Sequence, residues 1–156
     1  MTTITPCLWF DNQGEEAATF YTSLFPNSRI TDVARYGEAG PGTAGTVMTV
    51  DFELDGRPFL ALNGGPMFTF NEAVSFQVPC KDQDEVDFFW EKLSDGGAKG
   101  QCGWLSDRFG LAWQIVPTML TKLLSDPDRE KAERVMVAML EMTKPDIAAL
   151  EQAAAQ

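Results

Sequence analysis

The sequence predicts an α+β fold of two tandem β-α-β-β-β modules that form a cupped mixed sheet, followed by C-terminal helices. Three observations predict it. A short alternating apolar segment followed by an i, i+3, i+4, i+7 apolar stripe occurs twice, with Ala17 and Val86 lying 69 residues apart. Strand-like runs punctuated by Gly, Pro and Asp follow each stripe. Beyond Pro117 the pattern turns wholly helical.

In the first module, Thr3–Phe10 alternates, with Leu8 and Phe10 on one face and Thr5, Cys7 and Trp9 on the other. Asp11, Asn12 and Gly14 make a turn. Ala17, Phe20, Tyr21 and Leu24 then form one helical stripe, which Pro26-Asn27 ends. Ser28–Tyr36 and Thr46–Leu54 read as strands around the loop GEAGPGTAG. Asp55-Gly56 signals a hairpin into a strand at Pro58–Asn63.

The second module begins with a strand at Ala73–Val78, in which Phe76 and Val78 match Leu8 and Phe10. Val86, Phe89, Trp90 and Leu93 repeat the helical stripe, and Gly96-Gly97 closes it. Two strands are legible after this helix, Gly100–Leu105 and Leu111–Val116, turned by Ser106–Gly110; the third expected from duplication is not visible. Leu120, Leu123 and Leu124 then suggest a short helix. Asp126-Pro127-Asp128 opens another, with Ala132, Val135, Met136, Met139 and Leu140 as its stripe, and Pro145-Asp146 a third. The division is one domain over 1–156, with modules at 1–66 and 72–117 and a helical appendage at 118–156.

Composition narrows the function. The chain has 156 residues, enough for a core without disulfides or metal, and 44 % are hydrophobic. Twelve Lys+Arg against 23 Asp+Glu give a net charge of −11. That field opposes binding to nucleic-acid phosphates and to anionic membranes. A small molecule or another protein is the expected partner. Cys7, Cys80 and Cys102 have no metal or disulfide spacing and read as reduced thiols of a cytoplasmic protein. The first residues lack a secretory pattern, and no run reaches the length of a membrane span.

The segments ITPCLWFD, FYTSLFPNS, FLALNGGP with FTFNEAVSFQVPCKDQDEVDFFWEKLSDGG, and QCGWLSDRFGLAWQIVPTML with DPDREKAERVMVAMLEMTKPDIAAL resemble the PhnB-like family. That family carries the label 3-demethylubiquinone-9 3-methyltransferase and belongs to the vicinal oxygen chelate (glyoxalase/bleomycin-resistance) superfamily. The resemblance spans nearly the whole chain. It implies paired β-α-β-β-β modules, a glyoxalase-like cup and a homodimer. It implies no single activity, because the superfamily includes isomerases, dioxygenases, thiol transferases and ligand-binding resistance proteins.

The superfamily's metal ligands would fall near Thr5 and Ala73 on the first strands and near Ala61 and Gln114 on the last, with Asn63, Ser75 and Gln77 within a small register error. None is charged and the chain has no histidine, so no metal is expected. The label would bring S-adenosylmethionine, yet the Gly-rich stretch 37–45 joins two strands and opens no helix. Cys7 and Glu72 are the candidate catalytic groups, a nucleophile and an acid–base residue. Against them, a free cysteine is usually a small buried hydrophobe and a glutamate usually solvated. Trp9, Asn63, Phe68, Phe70, Gln77, Trp104 and Gln114 are the candidate ligand-binding residues, aromatics and neutral amides suited to an apolar or aromatic small molecule. Three readings remain open: a metal-free binding protein, an enzyme using the label's chemistry or Glu72 or Cys7, and a dimeric scaffold whose aromatics fill the cup.

Overall fold

The structure is a computed structural model that describes residues 2–156. It comprises two compact units that meet at Phe70 and Asn71. The first contains β1 (Cys7–Phe10), α1 (Gly14–Leu24), β2 (Arg29–Arg35), β3 (Val47–Leu54) and β4 (Arg57–Asn63). The second contains β5 (Ser75–Cys80), α2 (Gln83–Ser94), β6 (Ala98–Lys99), β7 (Trp104–Ser106), β8 (Ala112–Pro117), α3 (Thr118–Leu124), α4 (Arg129–Leu140) and α5 (Ile147–Ala155). The sheets run β1-β4-β3-β2 and β5-β8-β7-β6, the same order twice. In each the first strand pairs in parallel with the last, and the remaining pairs are antiparallel. The fold is α+β, and its duplicated β-α-β-β-β topology is the expected one.

In the first unit alternation buries Leu8, Phe10, Val50, Phe52, Leu54 and Ala61 on the face that α1 covers. The helix presents Ala17, Ala18 and Tyr21 to them; Tyr21 is fully buried, whereas Phe20 and Leu24 are only partly so. Small residues at 17 and 18 let the helix sit close to the sheet, which rotates its buried stripe by about one position from the expected one. Fully burying a side chain such as Phe52 contributes about 2 kcal/mol. Between β3 and β4, Asp55 and Gly56 both have positive φ, 50° and 76°, the backbone of a two-residue primed hairpin turn.

In the second unit Val78, Cys80, Leu105, Trp113 and Ile115 meet Val86, Phe89, Trp90 and Leu93 of α2. Asp82 caps α2 by accepting from the Glu85 amide. The expected strand over Gly100–Leu105 is corrected: residues 100–103 form a turn, and β6 and β7 flank it. The strand missing from the sequence reading is β6, too short at two residues to show alternation. The alignment of the first strands is also corrected. The buried pair of β1 is Leu8 and Phe10, and that of β5 is Val78 and Cys80, so Phe10 corresponds to Cys80 and not to Val78.

The C-terminal helices pack on their own unit. Leu120, Val135, Met139 and Leu150 form a small core against which Cys102 also packs. Amides of Cys102 and Gly103 donate to the carbonyls of Met142 and Thr143 at 2.8 Å, tying this layer to the sheet. Gln83 of α2 bridges Pro145 O and Ile147 N. Met136, Val137 and Leu140 of α4 stay exposed.

Candidate functional site

Each sheet keeps a second face turned away from its helix. In the first unit, cross-strand register sets two rows there: Cys7–Leu60–Asp51–Asp32 and Trp9–Leu62–Thr49–Ala34. Asp51 stands directly opposite Asp32, a like-charge pair that makes this face anionic. In the second unit the rows are Ser75–Ala112–Ser106 and Gln77–Gln114–Trp104, with Pro79 beside Val116. Three of the candidate binding residues, distant in sequence, therefore share one row on three adjacent strands.

That row is only partly self-satisfied. Gln114 Nε2 donates to Ser75 Oγ at 2.9 Å. The Gln77 amide is exposed, and neither it nor the half-buried Trp104 indole N–H bonds to another of the described residues. The face thus offers hydrogen-bonding capacity and an aromatic surface together, as small-molecule sites do.

The other candidates lie elsewhere. Asn63 faces the α1 side: its Oδ1 accepts from Gly14 N at 2.8 Å, and its Nδ2 donates to Val47 O at 3.1 Å. Helix α1 has no cap from its own N-cap residue, Gln13, and Asn63 supplies it from a strand 49 residues on. Trp9 is clamped by the loop after β4. Its Nε1–H donates to Gly65 O at 2.9 Å, and Phe68 meets it edge-on at 4.9 Å. A Cβ on Gly64 would lie 2.4 Å from the indole, so only glycine permits this approach. Phe70 packs on Phe10, on the opposite face of β1 from Trp9. Phe68 and Phe70 are thus separated. Glu72 is exposed, with no side-chain hydrogen bond or ion pair among the described residues.

Cys7 is exposed, yet partial burial of its sulfur pushes the thiol above its ordinary range. Protonated near neutrality, it is a weak nucleophile. Cys80 is buried, and desolvation, with Glu85 and Asp82 adding to it, pushes its thiol up to about 12. A raised folded-state value favours the protonated, folded form below about pH 9, and that contribution is lost as pH rises from 9 toward 12. Alkylation at pH 7.5 is expected to be slow at Cys7 and undetectable at Cys80 until unfolding; peptide mapping after iodoacetamide checks this, and rapid labelling of Cys80 contradicts the packing.

The donor set does not fit the superfamily's metal. With the corrected alignment, Cys7 matches Gln77, and their last-strand partners are Leu60 and Gln114. Ala61 lies on the helix side. Two amides in one sheet and one thiol beside a leucine in the other are not a hard-cation site. Among the described residues no three His, Cys, Asp or Glu side chains converge on a point.

An adenosyl cofactor fares no better. A cavity of about 600 Å³ lies beside the start of α1, lined by Asp11, Glu15, Glu16, Tyr36, Gly42 and Asn63 among others. The Gly-rich loop bounding it is committed to Tyr36, whose ring would lie 2.4 Å from a Cβ on Gly42 and whose hydroxyl donates to Asn63 O. The first amide of α1 is already taken by Asn63. The loop and helix start of a nucleotide cradle are therefore not available, and no methyl-transfer route follows from these residues.

Missing from the sequence reading is Asp107, buried at 2 % exposure. Its Oδ1 accepts from Phe109 N and Leu111 N at 2.9 and 3.0 Å, and its Oδ2 from Trp113 Nε1 at 2.9 Å. The role is to hold the β7–β8 turn.

Residues 2–116 match the family model described as 3-demethylubiquinone-9 3-methyltransferase. The chain belongs to that family. A PhnB protein of Bacillus cereus bearing the same label is 37 % identical, with a TM-score of 0.69 over 75 % of this chain and 100 % of that one. Protein PA1353 from Pseudomonas aeruginosa is 19 % identical, with a TM-score of 0.62 over 75 % of this chain and 98 % of that one. The fosfomycin resistance protein FosX of Listeria monocytogenes is 12 % identical, with a TM-score of 0.57 over 80 % and 98 %. These last two share the fold alone. No curated protein sequence matches. This 3-demethylubiquinone-9 3-methyltransferase family member thus has the vicinal oxygen chelate fold, and among the described residues no helix is long and apolar enough to cross a membrane.

Proposed function

We propose that the chain is a metal-free binding protein for an apolar or aromatic small molecule, seated on the open face of the second sheet. The observation that carries this reading is the row Gln77–Gln114–Trp104, which places an indole and two amides side by side with hydrogen-bonding groups unspent. Turnover finds less support: burial pushes the Cys7 thiol above its ordinary range, and Glu72 is exposed and lies outside the row. The family label names a reaction for which the cavity beside α1 lacks the cradle.

We propose as well that the protein is a cytoplasmic homodimer. Three unpaired cysteines suit a reducing compartment, and the exposed Met136, Val137 and Leu140 on α4 supply apolar surface for a second copy.

The test is a nuclear magnetic resonance titration with a library of small aromatic fragments. Hits are expected to move the side-chain amide signals of Gln77 and Gln114 and the Trp104 indole signal together. Hits confined to the cavity beside α1, leaving these three signals still, would overturn the assignment.

A further inference from the structure

We infer that the ligand of this face is uncharged and planar, a conjugated ring carrying a carboxamide, lactam or comparable neutral group with both donor and acceptor on one edge. The inference rests on the reading of that face as the binding site, and it follows from what the face offers and what it lacks.

It lacks charge. Its rows consist of serine, glutamine, alanine, proline, valine and tryptophan positions. Of the charged residues nearby, Glu72 precedes β5 and lies outside the rows, and Lys99, Arg108 and Asp107 are engaged elsewhere. Lys99, at the end of β6, is registered with the buried Leu105 and thus faces the helix side, where it pairs with Glu91 at 3.2 Å. Arg108 pairs with Asp95 at 3.3 Å, and Asp107 accepts from two amides of its turn and the Trp113 indole of β8. A carboxylate or ammonium pressed onto this face would lose hydration and find no counter-charge. A neutral ligand loses far less. The first sheet, with Asp51 and Asp32 paired on its open face, shows that this chain does not keep such faces neutral by default.

It offers matched polarity beside an aromatic plane. Gln77 and Gln114 stand on paired strands, about 4.8 Å apart. Because Gln114 Nε2 is held by Ser75, its Oε1 stays available as an acceptor. The Gln77 amide supplies both a donor and an acceptor, and Trp104 supplies an N–H donor and a π surface. From Gln77 to Trp104 the row spans two strand spacings, about 10 Å, which is the length of one substituted ring.

The experiment compares three isosteres: benzamide (neutral), benzoate (anionic) and benzamidine (cationic). Each is titrated into the full chain, with the Gln77, Gln114 and Trp104 side-chain signals as the readout. Benzamide is expected to bind at least about tenfold more tightly than either ion. Gln77→Glu, a change at an exposed position, is expected to strengthen benzamidine binding several-fold and to weaken benzoate, because a carboxylate then faces the amidinium. Equal binding of all three, or preference for an ion by the unaltered chain, overturns the neutral-ligand inference and leaves the site standing. Shifts from benzamide that ignore Gln77→Glu remove Gln77 from the contact and overturn the proposed edge. If none of the three moves these signals, it is the site itself that fails.

Discussion

Replacing Asp107 with alanine is expected to lower the unfolding free energy by about 3 kcal/mol. The buried carboxylate satisfies the amides of Phe109 and Leu111 and the indole N–H of Trp113. Removing it orphans three donors, and each unsatisfied buried donor costs on the order of 1–3 kcal/mol before water enters the gap. Asp107→Asn should fall between, because an amide has one acceptor oxygen and cannot serve both sides of the turn. Urea unfolding checks both variants: the midpoint drops while the slope stays constant. A loss below about 1 kcal/mol for the alanine variant would show that the turn forms without its carboxylate.

Trp9→Ala is expected to cost about 3 kcal/mol, the lower end of the range for removing a large aromatic, since Trp9 is only partly buried. The substitution removes the hydrogen bond to Gly65 O, the edge contact with Phe68 and the packing over Gly64 in one step. For a chain of this length each kcal/mol moves the melting midpoint by roughly 2–4 °C, so a drop of about 6–12 °C is expected. Proteolysis between Met67 and Phe68 should accelerate, because the loop loses its anchor. Trp9→Phe keeps an aromatic contact, loses the hydrogen bond and should cost about 1 kcal/mol. If the alanine variant melts within about 2 °C of the parent, the indole does not hold the loop.

Much of the fold was legible because its signals are local. Alternation at Leu8 and Phe10 and the stripes through Tyr21 and Trp90 are visible within a single window. So is Asp55-Gly56, whose positive φ values are what that pair favours. Less local features were not. β6 is two residues long, and its pairing with β7 exists only once the turn at 100–103 brings them together. The candidate site was legible in residue type but not in partnership. Gln77, Gln114 and Trp104 share a row only because three strands are in register, a pairing between segments distant in sequence. Asn63 looked like a site amide, yet it caps a helix that begins 49 residues earlier, a pairing no window contains. Phe68 and Phe70 alternate as in a strand, but they pack on opposite faces of β1. Asp107 was masked by its setting, because an aspartate in Ser-Asp-Arg-Phe-Gly reads as ordinary turn chemistry. Its one sequence signal is the run Leu-Ala-Trp that follows, a buried strand whose indole needs an acceptor.

The proposed ligand binds the second sheet through side chains alone. The decisive measurement is a calorimetric titration of chelator-treated protein with an aromatic fragment that shifts Trp104, run in parallel on Trp104→Ala. The expected result is affinity unchanged by chelation and lost by at least about tenfold in the variant, in line with the 1–3 kcal/mol that a stacked ring supplies elsewhere. Binding that disappears on chelation and returns with added zinc, iron or nickel, or that persists undiminished without the indole, would contradict it.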